Sequence, residues 1–202
     1  MFDTREKKER SLGTKLFLKG HRCTSAKCAH TRRSSRPGQH GKRRRSVSEF
    51  GEQLMEKQKI RFSYGLRESQ LKKIFAKASK HRGVTGDMIL QLLERRLDNA
   101  VFRLGFAPSR SVGRQLVSHG HITVNGRKVT IPSFQVSVGD AIGIRSYSKD
   151  HPHFKDIDAA LKKAAPVWLN VDLEKKEGKV VALPKDFESL FDVNMVVDYY
   201  AK

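Results

Sequence analysis

No apolar run in the 202-residue sequence approaches the roughly 20 residues needed to span a bilayer. The opening MFDTREKKER lacks the apolar stretch of a secretory signal, and no organellar presequence is evident. Cysteine is scarce too. Cys23 and Cys28 are the only two, too few for a disulfide framework, so a reducing compartment is expected. There is no Gly-x-Ser-x-Gly elbow, phosphate loop or dinucleotide fingerprint, and the scattered Ser, His and Asp residues form no catalytic set. These absences argue against a membrane span, a disulfide-stapled secreted domain and the common motif-bearing enzymes. The remaining shortage is of negative charge, with 21 acidic side chains against 41 basic ones.

The resulting net charge of +20 lies well beyond what solubility requires. Self-repulsion on that scale destabilises a compact monomer unless a polyanion screens it. The charge is also graded along the chain. Residues 1–50 hold 15 basic and 4 acidic side chains, residues 51–100 hold 11 and 6, residues 101–150 hold 7 and 2, and the last 52 hold 8 and 9. A uniformly solvated surface has no reason for such a gradient. It points to a polyanion lying along the first three quarters, with the acidic end facing solvent or a basic neighbour.

Residues 1–45 read as an extended basic arm. Between Arg32 and Arg45 the run RRSSRPGQHGKRRR has seven cations and no aliphatic residue, too little apolar surface to offset its ordering entropy. Ser46-x-x-Glu49 fits a capping box for a helix reaching about Phe62, and Tyr64-Gly65 ends it. Leu71, Ile74, Phe75 and Ala78 mark a second helix. A third, from about Gly86 to Leu104, carries Ile89, Leu92, Leu93, Leu97, Ala100 and Val101 on one stripe, with Gly105 placed to cap it. A short helix over Ser109–Ser118 follows. The period then changes to two: Ile122 and Val124, an Asn125-Gly126 turn, Val129 and Ile131, then Val136 and Val138 before Ile142 and Ile144. Helix is expected again from His153 to Ala164, then mixed strand or helix to Lys202, with Trp168 in the core. The class is α+β. The expected division is an arm (1–45), a helical domain (46–93), a module of helices on a short antiparallel sheet (94–157) and a tail (158–202).

Arg95, Arg96, Arg103, Arg110 and Arg114 fall outside the apolar stripes of their helices, so they should project outward, with Gln115, His119 and His121 following. Guanidinium groups take phosphate oxygens bidentately and stack on exposed bases. By itself this patch is equally a solvated basic face. Asp98 reads as a residue that orders Arg95 or Arg103.

The stretch LLERRLDNAVFRLGFAPSRSVGRQLVSHGHITVNGRKVTIPS closely resembles the RNA-binding module named after small-subunit ribosomal protein four, the S-four domain. Upstream, PGQHGKRRRSVSEFGEQLMEKQKIRFSYGLRESQLKKIF is similar to that ribosomal family outside the shared module. Downstream, Trp168-Leu169, Val171-Asp172 and the closing VVDYYAK resemble its tail. The likeness covers about residues 16–202. It implies a non-enzymatic constituent of the small subunit, in cytoplasmic or organellar ribosomes, that binds small-subunit rRNA directly and early in assembly. It also implies a place beside ribosomal protein five near the path of entering mRNA, a contact bearing on decoding accuracy, with the tail packed back on the helical domain. No membrane contact and no homo-oligomer are implied.

Carried over by motif, RNA contact is expected at Arg36, Gly38, Gln39, His40, Gly41, Lys42, Arg43, Arg44 and Arg45. It is expected also at Lys57, Lys59, Arg61, Tyr64 and Arg67, and in the module at Arg95, Arg103, Ser109, Arg110, Arg114, Gln115, His119, Asn125 and Gly126. Tyr64 has packing as its competing role, His119 a turn, and Asn125-Gly126 needs its turn geometry first. Many relatives carry four N-terminal cysteines resembling a zinc knuckle. Here the first pair is missing and a structural zinc needs four ligands, so two free thiols and no metal or cofactor are expected, although His21, His30 and His40 lie nearby in sequence. An RNA-modifying enzyme or synthetase using the module as an accessory would need a further catalytic domain, for which the flanks leave no room. The long ribosome-like N-terminal segment argues against a free-standing RNA chaperone.

Overall fold

The structure, a computed structural model, describes residues 5–43, 46–81, 83–149, 151–155, 161, 165–185 and 191–201. The chain gathers into two compact units, Met1–Ile89 with Glu188–Lys202, and Leu90–Phe187.

In the first unit, the leader is more structured than an extended arm. It contains α1 (Arg5–Leu12), α2 (His21–Thr24) and α3 (Ala29–Arg32). The reason lies in residues other than the basic run. Leu16, Leu18, Cys23 and Cys28 are buried together with Glu9, whose carboxylate oxygen Oε1 accepts from the backbone amides of Leu16 and Leu18, both at 3.1 Å. Glu6 meanwhile binds Arg22 at 2.6 Å. Buried acids thus supply partners for backbone and cations that a composition count treats as solvated.

Helix α4 (Glu49–Ser63) starts two residues later than the Ser46 box requires. Ser48 is the cap, its hydroxyl accepting from Gly51 N at 3.3 Å. After α5 (Glu68–Ala78) the chain enters α6 (Thr85–Glu94). The closing helix α10 (Val193–Ala201) lies against α4, with Tyr199 stacked on Phe50 at 5.5 Å and Tyr200 tilted against Phe75 of α5 at 4.8 Å. The end of the tail therefore packs on the helical part.

The second unit opens with a break. The expected single helix over 86–104 is two, because Arg96 is extended (φ −67°, ψ 136°) and α7 (Leu97–Arg103) restarts after it. Apolar residues are buried on both sides of the break, Ile89, Leu92 and Leu93 before it and Leu97, Ala100 and Val101 after it. Gln135 forms an isolated bridge with Arg96, and Val136 N donates to Arg95 O at 2.9 Å. Residues 136–138, read as a strand, therefore serve as partner to this interruption instead. Ser109 caps α8 (Arg110–Ser118) through Val112 N. Gly113 permits α7 and α8 to meet, for a Cβ there would fall 2.7 Å from Asp98 O.

The sheet is antiparallel in the order β2-β1-β3-β5-β4. It comprises β1 (Ile122–Val124), β2 (Arg127–Lys128), β3 (Ala141–Ile144), β4 (Leu169–Asp172) and β5 (Glu177–Val180). Asn125 (φ 51°) and Gly126 (φ 76°) make the two-residue hairpin turn that pairs Val124 with Arg127. The tail is divided, because its strands β4 and β5 extend the sheet at β3. Ser146–Ser148 form a 3₁₀ turn, and α9 is Pro152–Lys155. Most of the helix expected beyond it lies outside the described residues. Leu97, Val101, Phe106, Val117, Ile122, Ile142 and Trp168 share one core, each large side chain contributing about 1.5–3 kcal/mol by leaving water.

Candidate nucleic-acid interface

In the second unit four arginines, Arg96, Arg103, Arg110 and Arg114, are fixed by acid before they meet any ligand. Glu94, 3% exposed, receives a bidentate pair from Arg103, Nε to Oε2 at 2.9 Å and Nη2 to Oε1 at 3.0 Å. Arg110 Nη2 stands 3.8 Å from the same carboxylate. Its Nε donates to Asn99 Oδ1 at 2.7 Å, and Asn99 in turn donates to Glu94 Oε2 at 3.0 Å. Asp98, 2% exposed, binds Arg96 through both oxygens and takes Nε and Nη2 of Arg114 on Oδ2 at 3.0 and 2.6 Å. Two buried carboxylates therefore orient four guanidinium groups, an excess of two positive charges.

These contacts revise the outward-facing picture. Arg96 is buried in its ion pair, which holds the helix break, and takes no part in the surface. Arg103 and Arg114 each keep 34% of the side chain exposed, so one edge is anchored while another faces solvent. Asp98 orders Arg96 and Arg114, and the partner of Arg103 is Glu94. Arg95 Nε is held by Val136 O at 2.8 Å. Glu94 and Asn99 are the functional residues the sequence reading missed, while Asp98 was read as ordering an arginine but with other partners than Arg96 and Arg114. Their signal was a short polar cluster, Glu94 to Asn99, interrupting an apolar helix.

Helix α8 brings Arg110, Arg114 and Gln115 to one surface, with exposed His119 at its end. Ser109 is buried and occupied as the cap. Asn125 is occupied as well: Nδ2 donates to Asp140 at 2.8 Å and Oδ1 accepts from Ala141 N at 2.9 Å. Its partner Gly126 is exposed at the hairpin tip, where β2 presents Arg127 and Lys128.

In the first unit, residues 36–43 form a tight loop beside an open cleft of about 530 Å³, whose lining includes Arg10, Arg33, Arg36 and Lys42. Arg10 ties the loop down through Ser35 O, with Nη2 at 2.9 Å. Gly41 is required there, since a Cβ would fall 1.9 Å from Arg36 O. Gly38 adopts φ 103°, and Gln39, His40, Lys42 and Arg43 are exposed. Arg44 and Arg45 lie outside the described residues.

Not every expected contact on α4 is available. Tyr64 is 4% exposed and packs on Phe191, so the ring belongs to the core. Lys57 is also buried, its ammonium donating to Glu68 at 2.8 Å and to Tyr199 Oη at 3.2 Å. Both are corrected from RNA contacts to structural groups, because neither presents a surface to a nucleic acid. Lys59 pairs with Glu56, Arg61 donates to Gln58 at 3.1 Å, and Arg67 is exposed at the start of α5. Burial alone would raise the Glu68 carboxyl, but hydrogen bonds from Lys57 and Tyr200 outweigh it and hold the group below the usual range.

Cys23 and Cys28 are free and buried. Burial pushes the Cys23 thiol up. Burial also opposes ionisation of Cys28, but backbone amides of Thr31 and His30 more than compensate and lower it. Among the described residues no three His, Cys, Asp or Glu side chains converge on a metal position, and no helix is long and apolar enough to cross a membrane.

Residues 2–94 match the ribosomal protein S4/S9 N-terminal domain, and residues 95–142 match the S4 domain. Over 193 residues the chain is 50% identical to small ribosomal subunit protein uS4 of Heliobacterium modesticaldum, covering 94% of this chain and 93% of the relative. Protein uS4A of Alkaliphilus oremlandii is 51% identical over 192 residues with the same coverage, and uS4 of Acetivibrio thermocellus is 49% identical over 193.

Proposed function

The chain belongs to the uS4 family of small-subunit ribosomal proteins, and from that premise we propose that it binds small-subunit rRNA directly and early, nucleating assembly. It is a ribosomal protein, a structural constituent of the small subunit and not an enzyme. The observation that carries the RNA reading is the α7–α8 surface, where Glu94 and Asp98 pre-orient Arg103, Arg110 and Arg114. Groups already held in place lose little side-chain freedom on binding, so more of each charge-assisted hydrogen bond to phosphate appears as affinity. The rigid basic face, followed by a glycine turn, suits an irregular RNA surface better than a uniform duplex.

The Arg36–Arg45 segment, with Lys59, Arg61 and Arg67, supplies the second contact region, and Gln115, His119 and Gly126 extend the first. Further contacts in this reading are ribosomal protein five and mRNA at its entry path, through which the protein influences decoding accuracy as a single copy per subunit.

Co-sedimentation tests the proposal. The protein should remain on small subunits through a high-salt wash, as a directly rRNA-bound component does. Its complete release, together with failure to bind naked small-subunit rRNA, would overturn direct binding.

A further inference from the structure

The segment after β3 has no part in the surfaces described so far, yet it is built to hold one side chain out. Arg145 N donates to His121 O at 2.9 Å, and Ser148 N closes the turn on Arg145 O at 2.8 Å. The buried Ser148 hydroxyl shares a hydrogen bond with His121 Nδ1 at 2.9 Å. His121 in turn packs against Phe154, with ring centroids 6.2 Å apart. On this anchored turn Tyr147 is 89% exposed. Arg145 and Lys149 flank it, both exposed, and neither has an ion-pair partner among the described residues.

A lone exposed aromatic ring is ordinary. What distinguishes Tyr147 is the combination of a rigid mount, an open ring face and two exposed cations, each two positions away, without an ion-pair partner among the described residues. An aromatic platform flanked by cations is the composition that receives an unpaired base between its phosphates, since every base has a π-face and the backbone carries the charge. The two neighbouring cations would repel a basic protein surface. We propose that Tyr147 stacks on an unpaired base of the bound RNA while Arg145 and Lys149 take the adjoining phosphates. The inference rests on the RNA-binding reading above and adds a separate contact to it.

The full-length protein on deproteinised small-subunit rRNA provides the test. Ultraviolet crosslinking followed by trypsin should yield the Ser146–Lys149 peptide carrying a nucleotide remnant. Tyr147→Ala should weaken binding roughly fivefold to a hundredfold, the range for losing one base–aromatic stack, and leave the salt dependence unchanged. Tyr147→Phe should bind like the parent. Arg145→Ala should lower the salt slope by about 1. The inference is overturned if the parent binds rRNA with steep salt dependence while Tyr147→Ala binds equally well and the peptide stays unmodified. A defect seen only in assembled subunits, with naked-rRNA binding intact, would give the ring to a protein neighbour and also overturn it. If the parent ignores rRNA altogether, the broader RNA-binding reading fails first.

Discussion

Asp98 holds Arg114 through a single carboxylate oxygen, at 3.0 Å from Nε and 2.6 Å from Nη2, while its two oxygens also bind Arg96. Because Asp98 and Arg96 are both buried, removing the acid strands a cation away from water. Asp98→Ala should therefore cost about 3–5 kcal/mol of stability. Trp168, the only tryptophan, is buried in the same core and reports the transition in a denaturant titration. A loss under about 1 kcal/mol, typical of an exposed pair, would show that water already compensates these charges.

The C-terminal helix depends on a second acid. Glu68 accepts from Lys57 and from Tyr200 Oη at 2.9 Å, and its carboxyl is held below its ordinary value. A depressed carboxylate contributes stability that is whole above the unfolded value of about 4.3 and is lost as pH falls through the folded one. Hydrogen-exchange protection factors over Val193–Ala201 should fall between pH 6 and pH 3. Glu68→Gln should already be weakened at pH 6 and change less with acid. Equal acid sensitivity in parent and variant would remove Glu68 from this role.

His121 works in the opposite sense to a paired histidine. Burial lowers its pKa first, and the neighbouring rings of His151, His119 and His153 and the Arg145 charge lower it further. The fold thus favours the neutral ring. Its contribution is full above the unfolded value of about 6.5 and declines as pH falls from there toward the depressed folded value. The Trp168-detected unfolding midpoint should drop between pH 7.5 and pH 5.5, and His121→Asn should flatten that change. A midpoint in the parent that rises on acidification would reverse the assignment.

The α+β class, the hairpin and the helices over 49–63, 68–78 and 110–118 were legible because each rests on local chemistry: apolar period, caps, and an Asn-Gly turn. What escaped the sequence depends on distant partners. The break at Arg96 follows from backbone pairing with residues 135–136, about 40 positions away. Strands β4 and β5 join the sheet only because β3 offers an edge, and β5 alternates with a glycine and so shows little apolar pattern. The basic residues of the site were visible by type, but not which of them are spent internally. Lys57 and Arg96 look on paper like Lys59 and Arg114, and only the positions of Glu68 and Asp98 in space separate them.

The most direct test of the account is the affinity of the full-length protein for small-subunit rRNA as monovalent salt is raised from 50 to 200 mM. If pre-oriented cations neutralise several phosphates, the affinity should fall by roughly a thousandfold or more across that range, and Arg114→Ala should make the log–log slope shallower by about 1. An affinity that stays level with salt, or is absent throughout, would contradict the claim that this charge exists to meet RNA.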